Sequence, residues 1–343
     1  MPRFARNDEY LKTCVNFAIT MSDNQLYDTF AREHNYLRIS LTDACNLRCT
    51  YCMPDEKVSV TPFNKMMSAD EIFGIASVFV KMGVTKIRLT GGEPLVRKDA
   101  DFIIRKIAEL PVELTISTNA VLVDQFIGVF KQANIKSINV SLDTLNEEEF
   151  FAITKRGDFE KIRQNIFLLL ENNFKVKVNM VVMRGINEHA ILDFINLTKN
   201  FPIDVRFIEF MPFSGNAWNK DKVFSQQDML NLIRKKYFFI KLEDEPNDTA
   251  KKYIVPNHQG TFGFISTVTE PFCGTCNRLR LTADGKMKNC LFSENETDLL
   301  SAYRNGNDIE EMITKNLLSK KQALGGHFDF ENIENRSMIK IGG

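Results

Sequence analysis

The sequence predicts a parallel α/β fold from Tyr36 to about residue 211, followed by a differently organised C-terminal region. Two observations carry this. Short β-branched runs alternate with amphipathic helical stretches in units of about thirty residues, the size of one β–α repeat. Glycines, hydroxyls and charges recur at the C-terminal ends of the strands, where parallel α/β folds gather their ligands.

The elements follow in order. Residues 36–41 read as a strand. Ser68 with Glu71 makes a capping box that opens a helix, with Ile72, Ile75, Ala76, Phe79 and Val80 on one face and Gly83 ending it. Strands at 84–89, 112–117, 137–142, 175–182 and 203–210 alternate with helical stretches at 101–110, 124–133, up to about 172, and 188–200. Right-handed crossovers are expected between the strands. Six units are too few for a closed eight-fold barrel, which leaves an open partial barrel or a doubly wound sheet. The regular alternation stops at Pro212, and 242–248 is acidic and turn-like. The expected division is an N-terminal extension at 1–23, the β–α region at 24–211 and a C-terminal domain at 212–343. Cys14, in the extension, reads as a plain small residue.

Bulk composition excludes several classes. Lys plus Arg and Asp plus Glu both count 44, so no global field draws the chain to nucleic acid or membrane. No apolar run is long enough to span a bilayer. Met1 to Arg6 is basic, but Asp8 and Glu9 follow and no apolar stretch develops, so a cytoplasmic location is expected. Six of the seven cysteines form two compact triplets in a large chain, which points to metal and away from a disulfide scaffold.

The first triplet, Cys45, Cys49 and Cys52, has C-x3-C-x2-C spacing. Three thiolates there can hold three irons of a cubic cluster and leave the fourth iron open to a small molecule. The second triplet, Cys273, Cys276 and Cys290, supplies three thiolates again. Taken alone it fits equally a structural zinc site completed by His258 or His327. Strand ends carry Thr90-Gly91-Gly92-Glu93-Pro94, Ser117-Thr118-Asn119 and Ser141-Leu142-Asp143. Lys177 and Asn179 share a face of the fifth strand, and Arg206, Glu209 and Met211 belong to the sixth. Arg278 and Arg280 share a face if extended, and Arg38 and Arg88 lie on early strands. Arginine's planar fork of donors suits phosphate oxygens. There is no P-loop and no G-x-G-x-x-G, so a bound nucleotide would be held by side-chain cations.

The C-x3-C-x2-C motif with an aromatic before its last cysteine resembles the radical S-adenosylmethionine (SAM) superfamily, and Gly91-Gly92-Glu93-Pro94 resembles its second motif. With Tyr36-Leu37-Arg38-Ile39-Ser40, Arg206-Phe207-Ile208-Glu209-Phe210-Met211, Phe272 to Arg280 and the terminal Gly342-Gly343, the chain resembles the GTP 3′,8-cyclase family of molybdenum cofactor biosynthesis. The resemblance covers about residue 24 onward.

It implies a partial six-unit radical SAM barrel and a C-terminal domain with a second cluster. Two 4Fe–4S clusters are implied, one on Cys45, Cys49 and Cys52 and one on Cys273, Cys276 and Cys290. SAM would contact Tyr51, Gly92, Ser141 and Met211. GTP would contact Arg38, Arg88, Ser117, Lys177, Arg206 and the Arg278-Leu279-Arg280 stretch, with Arg278 and Arg280 also counted as catalytic. The Gly342-Gly343 tail would reach into the site. The implied reaction generates a 5′-deoxyadenosyl radical from SAM, takes hydrogen from ribose C3′ of GTP and closes the ring at guanine C8. An external low-potential electron donor, a homodimer and a downstream pterin-forming enzyme are implied partners. Two rivals stand beside this: a radical SAM enzyme with another substrate, and an electron carrier or zinc-stabilised binding module. A carrier normally closes each cluster with four cysteines, and this chain offers three twice.

Overall fold

The structure is a computed structural model that describes residues 25–53, 60–327, 330 and 335–342. The extension at 1–23, with Cys14, and the terminal Gly343 lie outside the described residues.

Six strands and the helices between them follow the expected alternation. They are β1 (Tyr36–Ser40), α1 (Ala69–Lys81), β2 (Lys86–Thr90), α2 (Ala100–Ile107), β3 (Glu113–Thr118), α3 (Ile127–Gln132), β4 (Ser137–Ser141), α4 (Glu147–Thr154), α5 (Phe159–Glu171), β5 (Lys175–Val182), α6 (Ile191–Leu197) and β6 (Asp204–Glu209). The Ser68–Glu71 capping box is formed, with both reciprocal bonds in place; such a cap contributes about 1 kcal/mol. β2 starts two residues later than expected. The Val84 N–H first closes the helix end on the Phe79 carbonyl, and the Lys86 N–H bonds Asn35. The stretch at 188–200 is a tight turn at Glu188–Ala190 followed by α6. Buried Asn187 imposes that turn by accepting the Met183 N–H and donating to the Asp143 and Val181 carbonyls.

β1 to β6 pair in parallel and lie side by side in chain order. A doubly wound sheet would reverse its order at a switch point, so this is the partial-barrel arrangement. Strand alternation sorts the two faces. On β5, Val176, Val178, Met180 and Val182 are buried in the apolar core, while Lys177 and Asn179 occupy the other face. Phe79, Phe130, Phe194 and Phe207 are fully buried, each stabilising the fold by roughly 1.5–3 kcal/mol through apolar area removed from water.

After β6 the chain adds α7 (Gln226–Arg234), β7 (Ile240–Lys241), β8 (Lys251–Ile254), β9 (Thr261–Ile265), β10 (Arg278–Leu281), β11 (Lys286–Lys288), β12 (Thr297–Asp298), α8 (Leu299–Arg304), α9 (Glu310–Leu318) and α10 (Met338–Ile341). These strands extend the same sheet at both edges. β9 runs parallel to β6 and β10 parallel to β1, giving the order β12-β11-β10-β1-β2-β3-β4-β5-β6-β9-β8-β7. The second cysteine triplet is thereby carried beside the first strand.

Glu209 locks the β6 edge. Its fully buried carboxylate accepts the N–H groups of Gln226, Val268 and Thr269, each at 3.0 Å, and the Thr269 hydroxyl. Glu209→Ala leaves those donors buried without an acceptor. It is expected to lower stability by about 2–4 kcal/mol, read as a lower urea midpoint. An unchanged midpoint would show that water replaces the carboxylate.

Candidate active site

The first triplet sits on the loop that follows β1, with all three thiols partly buried. Glycines set how closely this loop is approached. The Gly92 N–H bonds the Thr42 carbonyl at 2.7 Å and the Glu93 N–H bonds the Ala44 carbonyl at 2.8 Å. A Cβ on Gly91 would lie 2.6 Å from the Thr42 carbonyl oxygen, and one on Gly92 only 2.4 Å from that of Ala44. Any side chain there would push the cysteine loop away.

Glu93 is buried beside the thiol loop, where its charge adds to the rise of the Cys45 thiol. It accepts from the Leu95 N–H (3.1 Å), the Thr118 hydroxyl (2.8 Å) and the Asn119 N–H (2.6 Å). Burial pushes its carboxyl up to about 7 against the pull of those bonds. Asn119 donates to Asn46 at 2.7 Å and reaches to 3.8 Å from Cys45 Sγ. Across the loop the Tyr51 hydroxyl donates to Asp143 at 2.7 Å, and Asp143 also accepts the Val181 N–H. Burial pushes that carboxyl up to about 6.

Around the thiols lies a cavity of about 220 Å³, bordered by Tyr51, Gly92, Ser141 and Met211. Burial pushes Cys45 up to about 11 and Cys52 up to about 12. At Cys49 burial leads again, with Asp143 and the other two thiols adding to the rise. Three thiols lining one cavity are a donor set for a group that neutralises thiolate charge, and three thiolates are the number that an iron–sulfur cluster with one open iron would take.

The second cavity, about 510 Å³, adjoins the first. Ser117, Ser141, Asn179, Ile208, Met211 and Met338 border both. Cys273, Cys276 and Cys290 line it. Register explains its charge. Arg280 pairs with Arg38, and Arg38 with Arg88, on three adjacent parallel strands. Arg206, Lys177 and Arg278 complete the basin. Burial and the crowding of like charge push Lys177 down to about 8 and Arg280 down to about 10, and lower Arg38 well below the ordinary arginine value. Arg206 is partly offset by Asp204 at 2.8 Å. So many cations on one wall repel one another unless a polyanion lies among them. At Cys276 burial raises the thiol, but Arg278 and Lys320 outweigh it and bring it down to about 7.

Residues 338–342 lie beside the cavities, with Met338 bordering both and Ile339 the first. Arg280 donates to the Gly342 carbonyl at 2.7 Å. Gly342 has φ +86°, and a Cβ there would lie 2.7 Å from that of Ser40. Ile339 borders the same cavity as Cys52.

The structure therefore brings together the predicted residues with one exception. Leu279 faces away from Arg278 and Arg280, is fully buried in the apolar core and lines neither cavity. Strand alternation forces this, and its side chain leaves the predicted nucleotide-binding set. Neither histidine considered as a fourth zinc ligand lines a cavity: His258 bonds Thr198 at 2.9 Å, and His327 lies 3.5 Å from Glu294. Asn119, Asp143, Asn179 and Lys86 line the cavities without having been assigned roles. Asn119 and Asp143 stand at strand ends and Asn179 shares a face of β5 with Lys177, and those positions were the available signal.

A family model described as the Radical SAM superfamily matches residues 39–198. One described as Molybdenum Cofactor Synthesis C matches residues 203–325. Among solved structures, Streptococcus suis SuiB bound to S-adenosylmethionine superposes with a TM-score of 0.59 at 14% identity, covering 94% of this chain and 75% of that one, a likeness of fold. Fold and thiol loop thus define a radical SAM protein with a molybdenum cofactor synthesis region at its C-terminal side.

The chain is 38% identical to a GTP 3′,8-cyclase of Alkaliphilus oremlandii over 92% of its own length and 99% of that protein. It is 44% identical to the mitochondrial GTP 3′,8-cyclase of Arabidopsis thaliana, covering 93% and 84%. Molybdenum cofactor biosynthesis protein 1 of Dictyostelium discoideum is 43% identical, and the chain spans about half the length of that relative and of similar animal proteins. The chain belongs to the GTP 3′,8-cyclase family.

Proposed function

We propose that this chain is a GTP 3′,8-cyclase, converting GTP into (8S)-3′,8-cyclo-7,8-dihydroguanosine 5′-triphosphate early in molybdopterin biosynthesis. The observation that carries this reading is the pairing of two three-thiol sites on adjoining cavities, one of them walled by cations. Cys45, Cys49 and Cys52 would hold one 4Fe–4S cluster, and Cys273, Cys276 and Cys290 a second. With SAM, and an electron from an external low-potential donor, the first cluster would supply the radical chemistry.

The chain's own part is binding, orientation and exclusion of water. Tyr51, Gly92, Ser141 and Met211 border the SAM space. Asp143 fixes the Tyr51 ring through its hydroxyl, and the tail residues Met338 and Ile339 cover the same space. Arg38, Arg88, Lys177, Arg206, Arg278 and Arg280 would take the triphosphate and ribose end, and Ser117, on the border of both cavities, would orient the ribose towards SAM. No helix in the described residues is long and apolar enough to cross a membrane.

Anaerobic incubation with SAM, GTP and a strong reductant, followed by mass analysis, tests the reading. The expected products are 5′-deoxyadenosine and an isomer of GTP. Deoxyadenosine without the isomer would move the chain to another radical SAM substrate.

Lys177 gives a pH test. Its ammonium is held down to about 8, so it is charged near neutrality and loses its proton as pH rises through that value. GTP affinity is expected to fall about tenfold from about pH 7 to about pH 9. Lys177→Arg, charged throughout, flattens the profile. An equal fall in parent and variant, measured by calorimetry without SAM, would remove Lys177 from the binding set.

A further inference from the structure

Behind the second triplet lies a buried side-chain chain that the reading above does not use. Residues 28–34, just before β1, pack against it. Arg32 donates to the Cys273 carbonyl at 2.6 Å and the Gln322 carbonyl at 2.7 Å, tying two loops together, and is itself held by Asp28 at 2.6 Å. The His34 ring is fully enclosed. Its Nδ1 lies 2.8 Å from the Arg32 carbonyl, an acceptor, so Nδ1 carries the proton and Nε2 is bare.

Lys320 Nζ sits 2.8 Å from that bare Nε2. The same nitrogen lies 3.6 Å from Cys276 Sγ and 3.4 Å from the Arg278 carbonyl. Three acceptors surround one nitrogen, and only an ammonium has three protons to give. Lys320 is only 5% exposed, so water offers it no alternative partners. A buried cation is costly unless it has a counterpart, and the counterpart in reach is the sulfur of Cys276.

We propose that Lys320, seated by His34, is a positioning residue of the second triplet: its ammonium holds the Cys276 sulfur in place and raises the reduction potential of the cluster bound there. This rests on the two-cluster reading. A fixed positive charge hydrogen-bonded to a cluster sulfur stabilises the more negative, reduced state, one of the terms by which proteins tune such centres.

The test uses the full chain carrying Cys45→Ala, Cys49→Ala and Cys52→Ala, so that any cluster present belongs to the second triplet. It is reconstituted anaerobically, assayed for iron, zinc and sulfide, and titrated for midpoint potential by electron paramagnetic resonance. Zinc in place of iron and sulfide overturns the two-cluster reading itself, and with it the proposal. With iron in place, Lys320→Met is expected to keep the iron and shift the midpoint to lower potential, with a smaller shift in Lys320→Gln and near-parental behaviour in Lys320→Arg. Iron retained only by Lys320→Arg supports the proposal as well, since charge is then needed to assemble the site. An unshifted midpoint in any iron-loaded Met or Gln variant overturns it. Loss of iron from all three variants alike also overturns it, because the side chain would then serve packing alone.

Discussion

Cys49→Ala is expected to abolish reductive cleavage of SAM, with 5′-deoxyadenosine falling to the background of a cluster-free sample. Cys276→Ala, by contrast, is expected to retain most SAM cleavage while forming no GTP isomer. The asymmetry follows from which cavity each thiol lines. Cys49 borders the smaller one with Tyr51 and Gly92, and Cys276 borders the larger, cationic one. Losing one of three thiol ligands leaves two, too few to fix a cubic centre with a single open iron. The Gly91-Gly92 contact with residues 42–44 is made by backbone alone, so Cys49→Ala leaves the loop's tether intact and the loss can be read as chemical. Equal deoxyadenosine from Cys49→Ala and the parent would refute the assignment of the first triplet.

The second large effect is expected at Arg278. Arg278→Ala should weaken GTP binding by roughly ten- to a hundredfold, equivalent to about 1.4–2.8 kcal/mol, with first-cluster iron content and GTP-independent SAM cleavage unchanged. One guanidinium about 4 Å from a phosphate contributes about 4 kcal/mol of Coulomb energy at an effective dielectric of about 20. Desolvation removes part of that. Arg278 stands at the start of β10, half-buried, its guanidinium over the Phe272 ring at 4.9 Å. That ring restricts the side chain before the nucleotide arrives, which lowers the ordering cost of binding. Arg278→Lys keeps charge but loses the planar fork, and should fall between parent and alanine. Calorimetry on reconstituted protein reads all three, and unchanged affinity in the alanine variant would count against a triphosphate role.

Much of the barrel was legible because its signals are local. Capping by Ser68, the helical spacing of Ile72 to Phe79 and the two-residue period of β5 each act within a dozen residues. The strand-end residues were legible for the same reason, since alternation fixes which side chains share a face. What followed residue 211 was not. β9 and β10 are only five and four residues long, and their partners β6 and β1 are chosen by register and burial between distant segments, which no local period encodes. The same non-locality hid the His34–Lys320 contact, which spans 286 residues. Leu279 shows a different failure. A motif treated as a block does not separate its middle side chain, which the pleat of the strand turns into the apolar core, from the arginines on either side.

The pairing of β10 with β1 also bears on how the protein is made. Asn35 meets Asn277, 242 residues later, so β1 emerges from the ribosome with an exposed flank and stays that way until those residues have followed. Contacts of that span form late, and unpaired flanks are prone to aggregate in the interval. Until Met338 and Ile339 arrive, the thiol loop lacks part of its cover. Iron delivered before that segment packs would meet oxygen and solvent through the gap, so metal loading is expected to follow the docking of Met338 and Ile339.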